Sequence, residues 1–198
     1  MRNIILTGVG GQGTVLASKL IAAAAMAKDI PVTSAETIGM AQRGGNVFSH
    51  LRMGEGVHSP MILKGDGDLL IGFEPGESLR MLPYLKPDAP IITSIRPVIP
   101  VTAALAGGTY DGKAQLDYLK GTTHPLYTVD PDEAIRELGN PKVMNVVLLG
   151  AAVATGLLGL EPEDIKAAIR SRIPEKLQGL NLRALEYGSR LVAPGDGS

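Results

Sequence analysis

Cysteine and tryptophan are absent from the 198-residue chain. Without cysteine it has no disulfide framework, no thiolate nucleophile and no cysteine-ligated zinc or iron–sulfur cluster of its own. Aromatic residues make up only 4%, so small aliphatic side chains must fill the core and neighbouring elements can approach closely. Charge of either sign is not in excess: 19 basic residues face 20 acidic ones, for a net charge of −1. That excludes the basic footprint a nucleic-acid binder needs. The three histidines, His50, His58 and His124, show no metal-ligand spacing. The most apolar run, Val143 to Leu160, is interrupted by Asn145, Thr155 and several glycines. It is marginal for a membrane span and reads as a buried helix. Met1-Arg2-Asn3 leads directly into an apolar run with no charged n-region or cleavage site, which points to a cytoplasmic protein.

An apolar fraction of 44% over this length suits one compact α/β domain. We expect it to span residues 1–192, with 193–198 as a mobile tail. Its most informative stretch is Ile4-Ile5-Leu6-Thr7-Gly8-Val9-Gly10-Gly11-Gln12-Gly13-Thr14. The apolar residues predict a buried parallel strand, Val15 to Ala27 predicts a helix, and four glycines within six residues join them. The spacing Gly8-x-Gly10-x-x-Gly13 fits a dinucleotide-type loop. The first glycine permits a tight turn, the second lets a ligand approach the main chain, and the third lets helix and strand pack closely. Unpaired N–H groups at the helix start then face an anion, typically a phosphate. A ribose-binding acid is expected about 20 residues on; Glu36 lies 23 residues after Gly13 and suits that place. Gly11, however, makes the loop richer in glycine than the fingerprint needs. A glycine-rich turn that binds nothing is the plain alternative.

The first helix is apolar nearly all round, which predicts burial on more than one side, between the sheet and a second subunit. Ile30 to Ala35 reads as a strand. Glu36 to Asn46 mixes polar groups with Arg43 and the pair Gly44-Gly45, a backbone that bends or approaches something closely. Val47 to Met53 alternates as a half-buried strand, and Val57-His58-Ser59-Pro60 is expected to return as the second arm of a hairpin. Asp68 to Phe73 and Pro90 to Ile95 read as strands around a helix from Glu74 to Leu85. Residues 101 to 113 read as connecting chain, and Ala114 to Lys120 as a short helix. Leu126 to Val129 is a further strand, followed by a helix at Pro131 to Leu138 capped by Asp130. Helices over Val143–Leu158, Glu161–Arg172 and Pro174–Leu191 close the chain. The pattern predicts an α/β fold: a Rossmann-like, mostly parallel sheet with flanking helices and a helical C-terminal region.

No catalytic constellation stands out. The serines lack a base and a nucleophile elbow, and Ser49 and His50 alternate on one strand and so point to opposite faces. Asp66 and Asp68 flank Gly67; they suit turn chemistry better than a metal pair. Arg43 is placed either to meet a phosphate or carboxylate in a bidentate fork or to brace its loop against Glu36. Asn145, in a very apolar helix, needs partners, either a structural group or a ligand.

Gly8-Val9-Gly10-Gly11-Gln12-Gly13, Glu36-Thr37, Gln42-Arg43-Gly44-Gly45, Ser49-His50-Leu51-Arg52 and Asn145 to Ala151 occur in that order. Together they resemble the gamma-type subunits of 2-oxoacid:ferredoxin oxidoreductases, most nearly the beta subunit of the indolepyruvate enzymes. The resemblance implies a complex that oxidatively decarboxylates a 2-oxoacid with coenzyme A, giving an acyl-CoA, carbon dioxide and reduced ferredoxin. It also implies that thiamine diphosphate and [4Fe-4S] clusters lie on a partner subunit. This chain would then be an accessory subunit, inactive alone, that helps form the coenzyme A region. Gly8, Gly10, Gly11, Gln12, Gly13, Arg43, Gly44 and Gly45 are the candidate contacts, and none is assigned a bond-making role. The other readings are a free-standing NAD(P)-binding oxidoreductase using Glu36 and a purely structural assembly subunit. The 2-oxoacid and the oligomeric state stay open, a homodimer of the isolated chain included.

Overall fold

The computed structural model describes residues 1–36, 45–99 and 110–192. The expectations for Arg43, Gly44, the connecting chain from 101 and the tail from 193 therefore lie outside the described residues. Six strands form one sheet in the order β2-β3-β1-β4-β5-β6. They are β1 (Arg2–Val9), β2 (Val32–Glu36), β3 (Asn46–Met53), β4 (Leu69–Gly72), β5 (Ile91–Ser94) and β6 (Leu126–Val129). β1, β4, β5 and β6 run parallel, whereas β3 pairs antiparallel with β1 on one side and with β2 on the other. This is the expected mostly parallel α/β sheet.

Seven α-helices lie among the described residues. They are α1 (Thr14–Met26), α2 (Pro75–Met81), α3 (Lys113–Lys120), α4 (Asp132–Leu138), α5 (Met144–Ala154), α6 (Pro162–Arg172) and α7 (Glu175–Arg190). The larger core lies on one face, where Ile4, Leu6 and Ile71 of the sheet meet Leu20 and Ile21 of α1, Val146 and Leu149 of α5, and Ile165 and Ile169 of α6. On the other face Ile5, Leu70 and Ile91 meet Met81, Leu85, Leu119 and Ile62.

Four expectations are corrected. First, 57–60 form no strand. Both edges of β3 are already paired, so a hairpin arm has nowhere to add. The segment and the residues after it instead lie against β3 as a strap: the Ile62 N–H donates to His50 Nδ1 at 3.1 Å, and Arg52 Nη1 donates to the Ser59 carbonyl at 2.9 Å. Second, the helix begun at Glu74 stops after Met81 and continues as a 3-10 turn over Leu82–Tyr84, because Pro83 lacks the N–H an α-helix interior needs. Third, Asp130 is not the cap of α4. Pro131 holds that place, and Asp130 Oδ1 accepts the Asp132 N–H at 2.9 Å.

The fourth correction concerns the apolar helices. α1 is buried on most sides within the chain, because α6 packs along it and α5 and the sheet take its other inward faces. α5 ends at Ala154, short of Leu158, and is buried against α7. Their backbones nearly touch: a methyl group on Gly150 would run into the Leu185 carbonyl, and one on Gly188 into the Val147 carbonyl. These elements bury most of one another's apolar surface within the chain, while Leu16 and Met26 of α1 stay exposed.

Candidate functional site

The strand–turn–helix unit forms as expected, and its glycines are required for different reasons. Gly8 closes β1, where a Cβ would stand 2.8 Å from Gln12 Oε1 and 2.9 Å from Phe73 Cβ. It is a packing glycine. Gly11 (φ 100°) and Gly13 (φ 83°) are conformational ones, in the left-handed region that side chains avoid. Gly13 is also the N-cap of α1 and has no room for a Cβ, which would meet Asn145 Nδ2 at 2.5 Å.

Several candidate groups turn out to be committed within the protein. The Gly10 N–H donates to the Gly45 carbonyl at 2.8 Å, which joins the turn to the start of β3. Gln12 is engaged at both ends of its amide: Oε1 accepts the Val9 N–H at 2.6 Å and Nε2 donates to the Phe73 carbonyl at 2.9 Å. Asn145, buried at the start of α5, donates from Nδ2 to the Gly13 carbonyl at 3.3 Å while its Oδ1 accepts the Val146 N–H. It is the structural partner rather than a free amide. What is left over is backbone. The N–H groups of Gly11, Gly13, Thr14, Val15 and Leu16 have no partner among the described residues. They gather at the positive end of a 13-residue helix.

A cleft of about 460 Å³ opens beside these donors, lined by Gly11, Gln12, Gly13, Leu16, Arg96, Val98, Pro141, Lys142, Met144 and Asn145. Arg96 and Lys142 supply two cations that the sequence reading missed. They stand in the loop after β5 and in the 3-10 turn before α5 (Pro141–Val143), far from the glycines in sequence, and only the fold brings them there. Arg96 Nη1 is held at 2.9 Å from Asp132 Oδ1; Lys142 has no ion pair among the described residues. The remaining lining is largely apolar. Backbone donors, two cations and an apolar wall suit an elongated anion with a nonpolar part.

A second cleft, about 430 Å³, lies on the other side of the turn and includes Glu36, Lys19, Thr14 and Val47. Glu36 ends β2 at the same end of the sheet as the turn, but β3 lies between β2 and β1. In a dinucleotide fold the acid ends the strand next to the first one. Here it is two strands away, roughly 9–10 Å across the sheet.

The other sequence candidates are structural. Ser49 and His50 do face opposite sides of β3. His50 is 1% exposed, and burial lowers its pKa below the usual imidazole value. Asp68 is occupied by the Asn3 N–H at 2.8 Å and by Lys86. Among the described residues no group of three or more histidines and carboxylates could hold a metal ion, and no helix is long and apolar enough to cross a membrane.

Over residues 3–191 the chain matches the family model of pyruvate ferredoxin/flavodoxin oxidoreductase. It is 37% identical over 191 residues to the indolepyruvate oxidoreductase subunit IorB of Thermococcus kodakarensis, covering 94% of this chain and 93% of that one. It is 36% identical over 187 residues to the same subunit of Methanothermobacter thermautotrophicus, covering 94% and 95%. Among solved structures it resembles the gamma subunit of a keto/oxoacid ferredoxin oxidoreductase from Geobacter sulfurreducens, with a TM-score of 0.71 at 23% identity over 96% of this chain and 98% of that one. The 2-oxoglutarate:ferredoxin oxidoreductase of Magnetococcus marinus, solved with 2-oxoglutarate, coenzyme A and succinyl-CoA bound, matches all of this chain with 34% of its own, with a TM-score of 0.69 at 17% identity. The chain belongs to the pyruvate ferredoxin/flavodoxin oxidoreductase family, with the fold of the gamma subunit from Geobacter sulfurreducens.

Proposed function

We propose that this chain is the accessory subunit of a 2-oxoacid ferredoxin oxidoreductase acting on indolepyruvate or a similar arylpyruvate. Its task is to hold coenzyme A beside a partner subunit that carries thiamine diphosphate and iron–sulfur clusters. The complex converts a 2-oxoacid and coenzyme A into an acyl-CoA and carbon dioxide, and the two electrons pass to ferredoxin. The substrate assignment rests on the curated relatives, all of them indolepyruvate oxidoreductase subunits. With no cysteine, this chain offers no thiolate to a cluster. It contributes binding and orientation.

The observation that carries the coenzyme A role is the cleft beside the glycine turn. Coenzyme A presents a diphosphate and a 3′-phosphate, and the unpartnered amides of Gly11, Gly13 and Leu16 with Arg96 and Lys142 are donors of the right sign. Val98, Leu16 and Met144 give its less polar parts a surface. The displacement of Glu36 from β1 argues against the NAD(P) alternative.

The test is reconstitution with the thiamine-bearing partner. The isolated chain should be inactive, and the complex should reduce an acceptor only with both a 2-oxoacid and coenzyme A present. Each of Lys142→Ala and Arg96→Ala should raise the KM for coenzyme A about ten- to a hundredfold, the worth of one charge-assisted contact at ~1.5–3 kcal/mol, with the KM for the 2-oxoacid unchanged. Unchanged coenzyme A dependence in both variants would remove the cleft from the reaction.

A further inference from the structure

We infer that Glu77 is a positioning residue for the glycine turn, holding it from beneath through Asn46 and Gly45; its effect on catalysis rests on the coenzyme A reading above. Glu77 lies in the first turn of α2 and is only 6% exposed. Such burial pushes its carboxyl group above the usual range, against the pull of Arg80. A buried carboxylate is costly to keep, the more so with the buried Glu74 close by. Its hydrogen bonds show what it holds. Glu77 Oε2 accepts from Asn46 Nδ2 and, at 3.2 Å, from Arg80 Nε. Asn46 directly follows Gly45, whose carbonyl takes the Gly10 N–H.

The same acid is tied to the turn from the opposite direction. The Glu77 N–H donates to Glu74 Oε2 at 2.9 Å, and Glu74 follows Phe73, whose carbonyl accepts from Gln12. Gln12 in turn holds the Val9 N–H. The hydrogen bonds and short pieces of chain close a ring: Gly10, Gly45, Asn46, Glu77, Glu74, Phe73, Gln12, Val9. A closed ring fixes both flanks of the turn at once, so the unpartnered amides of Gly11 and Gly13 are held in place before a ligand arrives. Preorganised donors of this kind lower the cost of ordering on binding. Opening the ring at Glu77 removes the side-chain tie on Asn46, next to Gly45, and leaves only the β1–β3 pairing of Asn46 with Val9 to hold that flank, while Glu77 itself does not line the cleft.

The experiment compares Glu77→Leu, which removes the acceptor, with Glu77→Gln, which keeps a carbonyl oxygen of the same reach. In the isolated chain, hydrogen exchange at the Gly10 amide should quicken about tenfold or more in Glu77→Leu and return to near the parent rate in Glu77→Gln. In the reconstituted complex the KM for coenzyme A should rise about tenfold in Glu77→Leu, with kcat and the KM for the 2-oxoacid within about twofold. Should Glu77→Leu fail to fold, Asn46→Ala opens the same ring from its half-buried side and decides in its place. Unchanged Gly10 exchange in the folded variant overturns the positioning role. Quickened exchange with unchanged coenzyme A dependence supports the ring and instead removes the coenzyme A reading.

Discussion

Gly11 and Gly13 stand two residues apart with similar left-handed backbones, yet they face different surroundings. Beyond Gly11 there is open space, whereas Gly13 sits against Asn145. Alanine at Gly11 therefore meets only the conformational penalty, about 1–2 kcal/mol. Alanine at Gly13 meets the same penalty and also displaces Asn145 from the Gly13 carbonyl, for a total of roughly 3 kcal/mol or more. Urea denaturation of the two variants should rank them in that order, and equal losses would show that Asn145 yields freely. His50 gives a pH signature. Its Nδ1 accepts the Ile62 N–H, so the neutral ring carries its proton on Nε2, which is buried with no partner. The folded protein disfavours the imidazolium. Below about pH 6.5 the unfolded chain binds the extra proton more readily than the folded one. Stability from this site is thus complete above about pH 6.5 and is lost as pH falls toward the depressed folded value. His50→Leu should be less stable at neutral pH, through the loss of the Ile62 bond, and should fall less steeply between about pH 7 and pH 5 in thermal melts.

Elements whose signals are local were legible in the chain, and elements decided by distant neighbours were not. β1, the turn and α1 are readable because an apolar run, the glycines and an apolar helical stretch lie end to end. Residues 57–60 read as a strand because nothing nearby announces that β2 and β1 already occupy both edges of β3. The interior of the α5–α7 contact was likewise hidden. Glycine by propensity only weakens a helix, yet Gly150 and Gly188 are the points where two helices pass backbone to backbone. That makes a sharp prediction. In a free helix Gly188→Ala would gain up to about 1 kcal/mol. Here it must push α7 off the Val147 carbonyl, and overpacking typically costs 1–3 kcal/mol or more. Thermal unfolding should show a lowered Tm for Gly188→Ala and a modestly raised one for Gly179→Ala, whose added methyl group meets only the end of Arg183 on the same helix.

At the scale of the whole molecule the question is which ligand the sheet order allows. The glycine spacing and Glu36 read equally well as a nicotinamide-dinucleotide site, because the sequence carries the distance along the chain and not the distance across the sheet. The antiparallel β3 lies between their strands, so Glu36 reaches the glycines only across the second cleft and not from the neighbouring strand. Arg96 and Lys142, the cations that complete the cleft, left no trace near the glycines because they arrive from the loop after β5 and the approach to α5. The candidate site was therefore half legible: its backbone donors could be read, and its charges could not. A ligand that binds only the native state raises the melting temperature, by an amount that grows with concentration over Kd. At a hundred times Kd the gain is about 2.7 kcal/mol, several degrees for a domain of this size. NAD(H) and NADP(H) at millimolar concentration should leave the Tm of the isolated chain unchanged. Coenzyme A should raise the Tm of the reconstituted complex, and Lys142→Ala should abolish most of that rise. A clear shift with NADH, lost in Glu36→Gln, would return the chain to dinucleotide chemistry despite its family, since no other acid stands at the end of a strand beside the second cleft among the described residues.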